Sequence, residues 1–150
     1  MNMRLSVVMK SLLGVALATL VTAEATARDT GLKMPIADVL TEYADRLDSD
    51  IPLYFGEQSH PSVKRKHGEF VSNKKTNGVG KSDDEACRWV MLSAILSLQE
   101  RASREGGNAV VNIRSYYKKN EMSSKTEYEC HAGNIMAGVA LIGDVVTLDK

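Results

Sequence analysis

The sequence predicts an α+β fold: one long helix packed on a mainly antiparallel sheet, with a short N-terminal helix and one disulfide. Three observations carry this prediction. Apolar residues recur at three and four over residues 82–105, apolar and polar residues alternate over 108–117, and the chain holds two cysteines, Cys87 and Cys130.

Residues 1–27 read as a leader. Arg4 and Lys10 precede an apolar run, SLLGVALATLV, and Ala25 and Ala27 supply the small residues of a cleavage site, so a signal peptide cut after Ala27 is expected. The apolar run is too short for an ordinary spanning helix, which leaves no integral membrane segment after cleavage. No cysteine lies near the cut, so no lipid anchor is expected. Residues 28–150 are then 123 residues, one domain's worth, with 17 basic and 18 acidic side chains. That near-neutral balance gives no electrostatic footprint for nucleic acid. Export places the chain in the periplasm, where two cysteines are expected as a disulfide.

The first element expected after the leader is a short helix over 34–47, because Ile36, Val39, Leu40, Tyr43 and Leu47 form one stripe behind Pro35 in the first turn. The segments IPLYFG (51–56) and KHGEFVSN (66–73) read as short strands, and EQSHPSVKR between them reads as a loop. The stretch TNGVGKSDDE (76–85) ends like a phosphate-binding loop, but the position of the first required glycine holds Lys75, and no buried strand leads into it. No nucleotide is expected there. Ser82 and Glu85 instead have the S-x-x-E spacing of a helix cap, with Asp83 and Asp84 in the first turn and Gly106 and Gly107 as the stop. Cys87, Val90, Met91, Ala94, Ile95, Leu98 and Ala102 form the buried stripe of this helix.

Beyond it, 108–117 is expected as a strand with Ala109, Val111, Ile113 and Tyr117 on one side and Asn112, Arg114 and Tyr116 on the other, Val110 being out of phase. KKNEMSSK (118–125) reads as an exposed hairpin loop. TEYECHAGNIMAGVALIG (126–143) reads as a second long strand, bent or bulged at Gly133 and apolar on both faces, so that a second element or another copy of the chain is needed to cover it. If that strand is continuous, Cys130 shares a face with Gly138 and Ala140. A Cys87–Cys130 bridge would then pin the helix on that small-residue face and close a loop of about 44 residues, an entropic contribution of about 4 kcal/mol.

Two blocks, ERASREGGNAVVNIRSYY and ECHAGNIMAGVALIG, resemble a superfamily that joins the YbjQ-like heavy-metal-binding proteins and the Rcs outer-membrane stress-sensor lipoprotein. The resemblance covers about residues 82–142, and the asparagine-alanine-valine motif after the long helix is its most specific part. It implies the same pairing of Cys87 with Cys130. The chain after the leader is also similar to small exported proteobacterial proteins that carry the label excinuclease ATPase subunit. Its own residues lack a complete phosphate loop and a zinc-finger cysteine set.

The expected function is therefore non-catalytic: a periplasmic envelope protein acting through protein or surface interaction, with no cofactor. Lys64, Arg65, Lys66 and His67, with Lys74 and Lys75, form a basic run beside Phe70 that suits an anionic envelope surface, or that protects an edge strand from pairing. Tyr116, Tyr117 and Trp89 are candidate contacts for an envelope protein. The alternative is a heavy-metal-binding or metal-responsive module resting on His60, His67 and His131, although no H-x-H or C-x-x-C spacing closes a ligand set. In the contrary reading His60 and His67 are solvated loop residues, and Met91 and Met136 are core. Neither cysteine nor any serine has the context of an activated nucleophile.

Overall fold

The computed structural model describes residues 26–150; all but the end of the expected leader lies outside them. The elements in chain order are β1 (Thr30–Pro35), α1 (Ile36–Glu42), a 3₁₀ turn (Ala44–Arg46), β2 (Leu53–Phe55), β3 (Val63–Asn77), α2 (Asp83–Glu105), β4 (Ala109–Tyr117), β5 (Asn120–Met122), β6 (Glu127–Ala132) and β7 (Met136–Leu148). The seven strands form one mixed sheet, with both helices on one face: an α+β fold.

β7 is the organising strand. One of its edges pairs antiparallel with β3 along nearly its whole length, from Met136 opposite Asn77 to Leu148 opposite Val63. The other edge is shared, Ala137 and Gly138 pairing with β6 and Leu141–Val146 with β4. β1 extends the sheet beyond β6, β2 runs parallel to β4, and β5 folds back on β4 through a two-residue turn in which Lys118 and Lys119 both have positive φ. The 118–125 segment therefore holds the turn and second strand of a small hairpin with β4, in addition to loop.

α2 forms where the cap and periodicity place it. Ser82 Oγ accepts the Glu85 N–H at 3.1 Å, and Gly106 closes the helix in the left-handed region. Every residue of the expected stripe is buried against the sheet. Arg28 pairs with Asp83, and Arg88 joins Asp84 to Glu42. α1 is shorter than expected, with Pro35 at its cap position, and Ile36 and Val39 enter the same core as α2.

Three expectations are overturned, the first two because a local irregularity changes which face a side chain takes. The 126–143 segment is a hairpin, not one strand: the chain reverses at residues 133–135, Ala132 lies opposite Ala137, and the parity of the two arms is opposite. Cys130 and Ala132 thus share the helix-facing side with Ala137, Val139 and Leu141, while Gly138 and Ala140 face away, so α2 does not rest on the Gly138/Ala140 face. In β4, Asn112 (φ 52°) is an extra residue between the pairs Val111↔Asp144 and Arg114↔Ile142. Val110 and Ile113 therefore face α2, and Ala109 and Val111 face the other way. Gly143 accommodates the bulge, since a Cβ there would stand 2.9 Å from Val110 Cγ1. The third correction is β3, a single fifteen-residue strand in place of a loop and a short strand.

The far face of the sheet carries no helix among the described residues. Tyr54 packs on Ala109, Val111, Val146 and Leu148 at one end. Further along, Arg114 reaches across β7 beside Ile142 to Glu69 on β3 (2.8 Å) and also holds Glu121 on β5 (3.0 Å). These acids hold the guanidinium above its usual range, the hydrogen bond it donates to Glu121 being the largest cause. α1 does not cover this face.

Candidate functional site

The sulfur pair is structural. Cys87 and Cys130 form a disulfide with Cα atoms 5.9 Å apart, and both residues have no solvent exposure. A thiolate nucleophile or metal ligand needs access, which neither atom has.

His131 is the centre of a polar cluster on the far face. Its neighbours across the sheet are Gly31 on β1 and Gly138 on β7, so the ring lies over backbone with no side chain beneath it; a Cβ on Gly31 would come 3.4 Å from ring Cε1. The Tyr117 ring stacks on it, with centroids 3.3 Å apart and planes within 9°. Nδ1 meets Asp29 Oδ1 at 2.8 Å and Nε2 meets Glu129 Oε1 at 2.5 Å. With a carboxylate at each nitrogen, both contacts are hydrogen bonds when the ring carries both protons. Asp29 also accepts from Tyr117 Oη at 3.1 Å and from Lys118 Nζ at 3.4 Å. The hydrogen bond from His131 is the main reason the Asp29 carboxyl is held below the usual carboxylate range. Burial, then the bond to Asp29, raises the Tyr117 phenol, and the bond to Asp29 raises the Lys118 ammonium. A shallow cavity of about 220 Å³ lies beside the cluster, bounded by Arg28, Lys75 and Gly138.

The three candidate metal ligands do not converge. His131 lies opposite Gly138, whereas His67 lies at the bulge opposite Val145 and Val146, about 23 Å along β7 at ~3.3 Å per residue. His67 is a half-buried strand residue, not a loop residue, and its Nε2 is 2.8 Å from Thr147 Oγ1. His60 packs on the Tyr54 ring and contacts Pro61 O through Nδ1. Around His131 the two carboxylates occupy opposite nitrogens instead of one coordination point. Among the described residues, no group of three or more His, Cys, Asp or Glu is arranged to hold a metal ion.

The basic run is divided. Lys64, Arg65 and Lys66 lie at one end of β3, with Lys66 Nζ 3.0 Å from Asp144, and Lys74 and Lys75 lie at the other, about 26 Å away. Phe70 between them turns toward α2, where the Arg101 guanidinium lies 4.5 Å over its ring. Tyr117 belongs to the His131 cluster, Tyr116 lies opposite Glu121, and Trp89 is on α2 beneath Arg46 and edge-on to Tyr43. These residues do not make one surface with Lys64–Lys66.

The GVGKS letters form a turn into α2: Gly80 has φ 75°, Lys81 Nζ donates to Asn77 O, and the Ser82 hydroxyl is the cap. This turn lies beside the β6–β7 reversal through Gly78 N–H to Ile135 O at 2.9 Å. Val79, Ile135 and Met136 are 63%, 64% and 42% exposed, so Met136, unlike Met91, is not core.

Sequence reading missed Asp29, Glu129 and Arg114. Glu129 and His131 were open to discovery, being two apart on a strand and therefore on one face. Asp29 and Arg114 act across about 100 and 45 residues, and no local pattern reports that. Among the described residues no helix is long and apolar enough to cross a membrane. Comparison with family models, curated proteins and solved structures finds no match to this chain.

Proposed function

We propose that this chain is a non-catalytic interaction module of the cell envelope, delivered to the periplasm by residues 1–27 and acting by binding a protein or surface component. One observation supports this reading above others: β3 is an edge strand, fifteen residues long, cationic at both ends, and paired on one side only among the described residues. A strand of that length with an open edge is a ready template for another chain. The buried disulfide fits the same reading, because it stiffens the helix–sheet contact behind that edge without presenting a reactive sulfur.

The test is photocrosslinking in intact cells, with a photoreactive residue at Val71 on β3 and, as control, at Arg104 on the exposed side of α2. A defined adduct from position 71 and none from 104 is expected. No adduct from position 71, in cells where the protein is folded and oxidised, removes the interaction reading. Metal binding, the alternative, requires a stoichiometric zinc or copper isotherm on oxidised protein that His60→Ala, His67→Ala or His131→Ala weakens.

A further inference from the structure

The open side of β3 has a defined phase. Gly78 N–H bonds to Ile135 O, and the β3–β7 register runs without interruption from Asn77↔Met136 to Gly68↔Val145. In an antiparallel ladder, alternate residues bond to the partner. Ser72, Lys74 and Thr76 therefore direct their backbone groups at β7, and Glu69, Val71, Asn73, Lys75 and Asn77 direct theirs outward. Among the described residues, no other strand pairs with this edge, and no hydrogen bond from elsewhere reaches the backbone between Val63 and Thr76.

Charge selects what this edge accepts. The ends carry Lys64, Arg65, Lys66, Lys74 and Lys75 against the single acid Glu69, which Arg114 already holds. Bulges at Lys64 and His67 break the ladder at one end only. The four residues before Lys74, Phe70–Asn73, are uncharged, with Val71 54% exposed. Full-length antiparallel pairing with a second copy, centred on Phe70, sets Arg65 against Lys75 and Lys66 against Lys74, and like charges directly opposed are destabilising. A strand with an uncharged centre and acidic flanks meets none of that repulsion.

Resting on the interaction reading above, we infer that β3 binds an extended, acid-flanked segment of a partner protein as an additional strand along Gly68–Asn77. Backbone hydrogen bonds at Glu69, Val71, Asn73 and Lys75 would supply the register, and Lys74 and Lys75 the charge preference.

The probe is a fluorescent synthetic peptide of about twelve residues, Asp-Glu pairs at each end and a Val-Thr repeat between, read by anisotropy with the oxidised protein at about 0.15 M salt. Binding is expected, with amide exchange at Val71, Asn73 and Lys75 slowed in the complex. Methylating alternate backbone nitrogens of the peptide preserves its charge and removes its donors, and should weaken binding about tenfold or more; Asn73→Pro, which removes one outward N–H at an edge position, should do likewise. The methylated peptide leaves the protein unaltered, so the test survives a failure of the proline variant to fold. Equal binding of methylated and unmethylated peptides means charge attraction alone and overturns strand addition. No peptide binding, alongside a Val71 adduct in cells, overturns the acidic-strand assignment and leaves the interaction reading intact. A dimer in solution that Asn73→Pro dissociates assigns the edge to a second copy and also overturns it.

Discussion

Replacing Cys87 and Cys130 together by alanine opens a loop whose ends are 43 residues apart in sequence. The chain-entropy relation for a closure of that length gives about 13 cal/mol/K, or about 4 kcal/mol at 25 °C, before the lost packing of two fully buried sulfurs is counted. Domains of this size have about 5–15 kcal/mol of stability in all, so the bridge supplies a large share. Urea denaturation of oxidised wild type and the double variant should show a loss of about 3–5 kcal/mol. The melting temperature should fall by ~15 °C at ~4 °C per kcal/mol. Because neither cysteine is exposed, reduction of the native protein should proceed at the rate of opening and accelerate with urea. A loss below about 1 kcal/mol, or rapid reduction without urea, would show that the helix–sheet contact does not depend on the bridge.

Three further outcomes follow from named contacts. The Tyr128 hydroxyl is buried without a hydrogen-bond partner among the described residues, and burial raises its pKa; Tyr128→Phe should leave stability unchanged or raise it by about 1 kcal/mol in urea titration, and a loss of that size would reveal a partner for the oxygen. Gly143→Ala should cost about 1–3 kcal/mol, since the new methyl meets Val110 and Ile113 at the β4 bulge; a neutral result would mean the bulge relaxes freely. Asp29 has a folded pKa below its unfolded value, so its contribution is present in full above about pH 4–5 and is lost as pH falls through the folded value. With the side chain 41% exposed, that contribution is under about 1 kcal/mol; Asp29→Asn should lower stability slightly at pH 7 and not at pH 2, and a deficit that persists at pH 2 would rule out the charged form as its source.

The long helix was legible because its information is local: a cap at Ser82, a stop at Gly106, and a stripe that needs no knowledge of the partner. The cysteine pairing was legible because the chain holds two cysteines, which leaves an internal disulfide a single connectivity. Faces were lost wherever one residue shifted the phase. The reversal at Gly133 and the extra residue at Asn112 each invert which side chains meet α2, and a period-two pattern read without them assigns Gly138, Ala140 and Val110 to the wrong side. β3 was legible only over residues 66–73, and its two ends were lost for a different reason: lysine-rich edge strand has the composition of a loop. The His131 cluster was half visible, because Glu129 lies two residues away while Asp29 is brought in by pairing of β1 with β6.

That pairing sets an order of events during synthesis. β1 closes on β6 with Thr30 against Ala132 and Pro35 against Glu127, so one of the earliest strands to leave the ribosome waits for one of the latest. Until about residue 132 has been added, its backbone donors are served by water, and the nascent polypeptide stays open across most of its length. So high a contact order slows collapse and prolongs the interval in which a transport channel, a chaperone or a protease meets an extended chain.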